Sequence, residues 1–108
     1  MPRERLQGTL DLLILKTLAR GVAHGYGITC AILNASQNQL RVEEGSLYPA
    51  LRRLESEGLI KAEWRASENN RRARYYELTR IGRKHLRRVE DEWRAHTAVI
   101  ENFLTFEE

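Results

Sequence analysis

The sequence predicts a mainly α chain that carries one small β-hairpin and ends in a long helix. Three features of the chain point there. Apolar residues recur at helical spacing in four separate stretches. Directly after Gly58 the apolar period drops to two, and a polar, turn-prone segment separates two such alternating runs. From Leu86 to Phe103 the apolar positions are spaced alternately three and four residues apart, the seam of a heptad pattern.

The elements follow in order. Leu6, Leu10, Leu13, Ile14, Thr17 and Leu18 fall on one helical face, and Leu12 and Leu15 widen the stripe, so the first helix is expected to be buried over much of its surface. Arg20-Gly21 ends it, with the glycine expected in the left-handed cap conformation. A second helix follows His24-Gly25-Tyr26-Gly27; Ile28, Ala31, Ile32 and Ala35 form its apolar face and Ser36-Gln37-Asn38 closes it. The segment from Gln39 to Val42 reads equally as a very short strand or a plain turn. In the third helix Ser46 is the expected N-cap, with Pro49 in the first turn, where a missing backbone N–H costs nothing. Leu47, Ala50, Leu51 and Leu54 turn inward and Gly58 supplies the exit.

The hairpin pairs Leu59–Trp64, with Ile60, Ala62 and Trp64 on one side, against Arg72–Leu78. Ser67–Arg71 is the polar turn between them. Thr79 is the expected cap of the last helix, which runs to about Leu104 with Leu86, Val89, Trp93, His96, Ile100 and Phe103 along its seam. So small a domain cannot cover so long a helix, and a second copy of the chain is the simplest partner for the seam. Residues 1–79 then form a winged helix-turn-helix unit and residues 80–108 a dimerisation helix, with Glu107-Glu108 a frayed tail.

Bulk composition bounds the function. A chain of 108 residues makes one compact domain. It has no apolar run long enough to span a bilayer, and Met1–Arg5 lacks the apolar core of a secretory signal. The single cysteine, Cys30, excludes an intrachain disulfide and suits a cytoplasmic setting. The net charge is only +3, but it is segregated. Arg65 to Arg88 holds nine basic residues against Glu68 and Glu77, whereas Val89 to the end holds six acidic residues against Arg94 alone. Such asymmetry is expected when one surface meets a polyanion.

Helix, helix, turn, helix, basic hairpin and long helix is the order of a winged helix-turn-helix, in which the third helix enters the major groove of double-stranded DNA and the wing reaches the flanking backbone. With its apolar stripe inward, the third helix presents Gly45, Pro49, Arg52 and Ser56, flanked by Tyr48 and Arg53. Arg52 is the candidate for a bidentate contact to a guanine edge; Ser46, Tyr48 and Arg53 are candidates for phosphate. In the wing, Asn70, Arg71, Arg72 and Arg74 form the densest cluster of donors. Tyr75 and Tyr76 alternate, so one faces the core and one faces out. No nucleophile, base and orienting group come together, and His24, Cys30, His85 and His96 lack metal-ligand spacing, so neither catalysis, metal nor cofactor is expected. A winged-helix module that binds protein is the alternative; such modules usually lack a basic wing.

Several stretches also carry a family resemblance: Gly8–Leu15, His24–Ile28, Gly45–Glu55, Gly58–Ile60, Arg71–Thr79 and Gly82. In these the chain resembles the PadR family of transcriptional regulators, in its short form with a single C-terminal helix. The resemblance implies a homodimer joined mainly through the last helix, with the first contributing. It implies inverted-repeat operator sites, usually bound by a repressor, and a response in several members to small aromatic ligands. Trp93 falls where some relatives carry a tryptophan lining a cavity at the dimer interface; interface packing is the simpler role for an aromatic at a heptad position.

Overall fold

The computed structural model describes residues 3–107, with side chains from Gly8 onward. The expected apolar contribution of Leu6 and the tail residue Glu108 therefore lie outside the described residues. Among those described, the elements are α1 (Arg3–Ala19), β1 (Ala23–His24), α2 (Gly25–Ala35), α3 (Glu44–Ser56), β2 (Ile60–Ala66), β3 (Arg72–Leu78) and α4 (Arg80–Thr105).

The core gathers one stripe from each element. Ile14, Leu15 and Leu18 of α1 meet Ile28 and Ile32 of α2, Leu47, Leu51 and Leu54 of α3, Ile60, Tyr76 and Leu78 of the hairpin, and Leu86 of α4. Each of the larger side chains contributes roughly 1.5–3 kcal/mol by leaving water. Helix α1 is central, touching α2, α3, β3 and α4. That position explains its broad apolar stripe: Leu12 and Leu13, on different sides of it, are both half-buried against the core.

The hairpin pairs in the register Ile60↔Leu78, Ala62↔Tyr76, Trp64↔Arg74 and Ala66↔Arg72. Tyr76 is thus the inward tyrosine of the pair. A third strand, not anticipated from two residues of sequence, lies on the other side of β3, giving the antiparallel order β1-β3-β2 with Ala23↔Tyr76 and His24↔Tyr75. His24 ends that strand and also caps α2, its Nδ1 accepting the Gly27 N–H at 2.9 Å. Helix α2 therefore begins at Gly25 rather than after Gly27.

Other local expectations are corrected. The cap of α3 is Glu43, not Ser46, and its side chain makes no cap hydrogen bond. The Glu43 carbonyl instead accepts from the N–H groups of Ser46 (3.0 Å) and Leu47 (2.9 Å), which starts the helix earlier and leaves Pro49 inside it. Gly21 takes φ 153°, an extended positive-φ conformation rather than a left-handed helical one, while Gly58 at φ 76° is left-handed as expected. Residues 39–42 form no strand; Gln37 and Asn38, at φ 55° and 66°, turn the chain before them. The link between α2 and α3 spans residues 36–43 and is longer than a tight helical turn.

One junction fixes α4 to the rest. The Leu59 carbonyl accepts from the Thr79 N–H (3.1 Å), the Thr79 hydroxyl donates to the Gly58 carbonyl at 2.7 Å with the Leu59 carbonyl 3.0 Å away, and the same hydroxyl accepts the Gly82 N–H at 3.0 Å. The first turn of α4 lies directly on the Leu59 backbone, so a Cβ at Gly82 would overlap the Leu59 carbonyl oxygen and press on Leu78. Further along, Lys16 of α1 pairs with Glu90 at 3.2 Å. Beyond this α4 leaves the domain, stretching the molecule to 62 × 29 × 24 Å.

Gly82→Ala is accordingly expected to cost about 3 kcal/mol, because backbone cannot yield to an inserted methyl. Gly45→Ala, where a Cβ meets nothing within 4 Å, should leave stability unchanged or slightly higher. Urea unfolding of both variants checks the contrast.

Candidate nucleic-acid interface

Helix α3 exposes the arc expected of it. Gly45, Ser46, Tyr48, Pro49, Arg52 and Ser56 face out, while Leu47, Ala50, Leu51 and Leu54 are buried. Pro49 removes the donor that the Gly45 carbonyl would meet one turn later, and the loss falls on this wet arc, where solvent can serve the carbonyl. Arg52 is exposed and makes no ion pair among the described residues.

Its neighbour Arg53 is placed differently. It turns back to α1 and forms a two-pronged pair with Asp11, Nη1 to Oδ2 at 3.0 Å and Nη2 to Oδ1 at 2.5 Å, with Glu57 at 3.8 Å. The hydrogen bonds that the guanidinium donates to Asp11 push its pKa further up. Arg53 therefore anchors α3 to α1 and stands off the exposed arc.

The wing turns at Asn70, whose φ of 60° is one that asparagine tolerates; the Asn70 N–H reaches the Ser67 carbonyl at 2.9 Å, and the Ser67 N–H reaches the Arg71 carbonyl at 2.7 Å. Arg71 and Arg72 are exposed at the tip. Arg74 is half-buried, donating to Glu55 of α3 at 2.7 Å. Arg72 and Arg74 both lie over the exposed Trp64 ring, at 5.4 and 5.9 Å from its centroid. On the opposite face of the hairpin Tyr75 packs edge-on to His24 (5.1 Å) under Arg65 (5.5 Å). Burial raises the pKa of the Tyr76 phenol.

Between the start of α2, helix α3 and the wing lies a groove of about 730 Å³, lined among others by Tyr26, Tyr48, Trp64, Arg71 and Arg72. Its floor depends on Gly25, where a Cβ would fall 2.6 Å from the Tyr48 hydroxyl. The groove continues into a hollow between Arg52, Glu55, Ser56 and Arg74. Of the candidate residues on α3 and the wing, Tyr48, Arg52, Arg71, Arg72 and Arg74 line these two adjoining hollows; Ser46, Pro49 and Asn70 are exposed outside them, and Asp11 withdraws Arg53.

At the far end, the seam of α4 divides. Leu86 is buried in the core of the single chain, which corrects its assignment to the seam. Val89 is half-buried, whereas Trp93, His96, Ile100 and Phe103 are exposed. Trp93 lines a cleft of about 340 Å³ between α4 and the α1 residues Gly8, Thr9 and Leu12. Among the described residues no group of His, Cys, Asp and Glu could hold a metal ion, and no helix is long and apolar enough to cross a membrane.

Sequence reasoning passed over Asp11, Glu55, Trp64 and His24. An acid inside the run Leu10-Asp11-Leu12-Leu13 was the available signal for Asp11, since a charge on a buried helix needs a partner. Trp64 owes its place to strand register and Glu55 to the approach of Arg74 from β3, whereas the His24 cap on Gly27 is local.

A helical unit closed by a three-stranded sheet, with the hairpin following α3, defines a winged helix protein. Residues 14–88 match the model of the transcriptional regulator PadR-like family, and the chain belongs to that family. It is 37% identical over 81 residues to the transcriptional regulator Rv3488 of Mycobacterium tuberculosis, covering 75% of this chain and 72% of that protein. A transcriptional regulator from Clostridium thermocellum superposes with a TM-score of 0.84 at 30% identity, over 97% of this chain and 99% of the other. A PadR family transcriptional regulator from Eggerthella lenta gives 0.81 at 32% identity, over 96% and 89%.

The Asp11–Arg53 fork sets the seating of α3. Asp11→Ala and Arg53→Ala are each expected to cost about 2 kcal/mol, and the double variant less than the sum, because either change alone already removes the shared two-pronged pair. Denaturant unfolding of the three variants measures this.

Proposed function

We propose that this transcriptional regulator binds double-stranded DNA as a homodimer, at an inverted repeat, and acts as a repressor. The observation that carries the reading is the common surface of α3 and the wing. Arg52 lies there without an ion pair among the described residues, beside the exposed Arg71 and Arg72. In this reading α3 enters the major groove and Arg52 reads a base edge. Ser46, Tyr48 and Pro49 pack along the groove wall, and Asn70, Arg71 and Arg72 meet the flanking phosphates. Arg53 and Arg74, each held by a carboxylate, position the two elements.

Support for the dimer comes from α4. Trp93 (48% exposed), Ile100 (44%), Phe103 (76%) and Leu104 (71%) are too apolar a set for a helix left in water. A two-fold axis through this helix presents two α3 helices to successive major grooves, with half-sites about 10 base pairs apart. The cleft at Trp93 is the place proposed for a small planar aromatic effector that relieves repression, since it is apolar, adjoins an indole and lies at the seam. Residues 1–79 act as the reading unit and 80–108 as the joining helix.

Affinity selection of fragmented genomic DNA by the purified protein, at physiological salt, tests the reading. Recovery of a few loci sharing an inverted repeat is the expected result; a folded dimer that recovers none overturns it in favour of a protein-binding module. On a recovered site, Arg52→Ala should weaken specific binding by roughly 1–3 kcal/mol and relax one position. Arg71→Ala should weaken all sequences alike and reduce the salt slope by about one.

A further inference from the structure

Trp64 carries a role that neither the family nor the proposed reading assigns. It stands directly opposite Arg74 on the hairpin, on the same face as Arg72, and the residue is 54% exposed. Burial therefore does not account for a residue of this size at the outer end of the wing. Its ring instead underlies two guanidinium groups, Arg74 at 5.9 Å and Arg72 at 5.4 Å. Arg74 is in turn held by Glu55 of α3 at 2.7 Å. The contacts form one chain, Glu55–Arg74–Trp64–Arg72, running from the last turn of the third helix to the wing tip.

We infer that Trp64 is a positioning residue for a backbone phosphate of bound DNA: it holds the Arg72 guanidinium in place on the wing before the duplex arrives. This rests on the DNA-binding reading and deepens it. A free arginine on a hairpin tip loses most of its rotamer freedom when it grips a phosphate. A guanidinium already resting on an indole has surrendered part of that freedom, and cation–π attraction leaves its N–H donors available, because the ring engages charge and not hydrogens. Arg74 cannot serve the same end, since Glu55 neutralises it; its part is to fix the ring relative to α3. The wing tip thus approaches the backbone at an orientation set from the third helix.

A double-variant cycle on full-length protein tests this, using a mixed-sequence DNA duplex of about three helical turns at low salt as the probe. Trp64→Leu should lower affinity by about 5- to 10-fold. In an Arg72→Ala background the same change should cost less than about two-fold, and Trp64→Phe, which keeps an aromatic face, should recover much of the loss. The urea midpoint of Trp64→Leu is expected to match the parent, because the ring is mostly outside the core. Equal losses in both backgrounds would mean that Trp64 acts independently of Arg72 and would overturn the inference. So would a loss in Trp64→Leu that only tracks a fallen midpoint, or one that Trp64→Phe does not relieve. If the parent protein shows no salt-dependent binding to the duplex, the DNA-binding reading itself falls, a result distinct from all of these.

Discussion

The structure depends most on the contact where α4 begins. There the Leu59 carbonyl, the Thr79 hydroxyl and the backbone of Gly82 meet with no room for a side chain. Leu59 follows the exit of α3, and Thr79 follows the end of β3. One hydrogen-bonded knot therefore joins the third helix, both strands of the wing and the long helix. The left-handed turn at Gly58 is what brings Leu59 to that place. Any rotation of α4 against the wing would break several backbone-directed hydrogen bonds at once.

Charge placement follows a second rule, which acts through pairing and not through net charge. Half-buried arginines are matched by carboxylates: Arg53 by Asp11, Arg74 by Glu55. Arg52, Arg71 and Arg72 are left outside these pairs, and they border the groove between α3 and the wing. Of the basic residues in 65–88, Arg71 and Arg72 are left open at that groove, while Arg80, Arg83, Lys84, Arg87 and Arg88 lie on the first half of α4. On α4 the same logic runs the other way, since Glu90 takes both Lys16 and Arg94 and ties the acidic end of the chain to α1. An overall charge of +3 conceals both arrangements.

Most of the architecture was legible in the sequence because it rests on periodicity. The inward stripe of α3, the strand pairing from Ile60 to Leu78 and the Thr79 cap are local patterns, and each was found where expected. What was not legible depends on contacts between distant residues. Strand β1 exists only because Ala23 and His24 reach the free edge of β3, and two residues have no period. Ser46 has the chemistry of a cap, but the loop from α2 delivers Glu43 instead, and the helix tolerates Pro49 because its exposed arc can lose a hydrogen bond. A helical projection of one element places Arg52 on the exposed arc and Arg53 at its flank, but it says nothing of a partner for either. Only the approach of Asp11, from another helix, separates a free guanidinium from a tethered one.

Helix α1 connects the two ends of the molecule. Its N-terminal portion, at Gly8, Thr9 and Leu12, forms one wall of the cleft beside Trp93. Asp11, on the same helical turn as Leu12, grips Arg53 of α3. A molecule seated against Trp93 would bear on the turn of α1 that holds the third helix in place, while the knot at Thr79 keeps the wing and α4 still. Under the proposed reading, an effector then needs no large domain motion. A small displacement of α1 reaches α3 through a two-pronged, charge-assisted pair, whose geometry transmits rotation better than a point contact could. Because Asp11 also compensates the only α3 arginine that faces inward, that same pair sets both the seating of the helix and its route to the cleft.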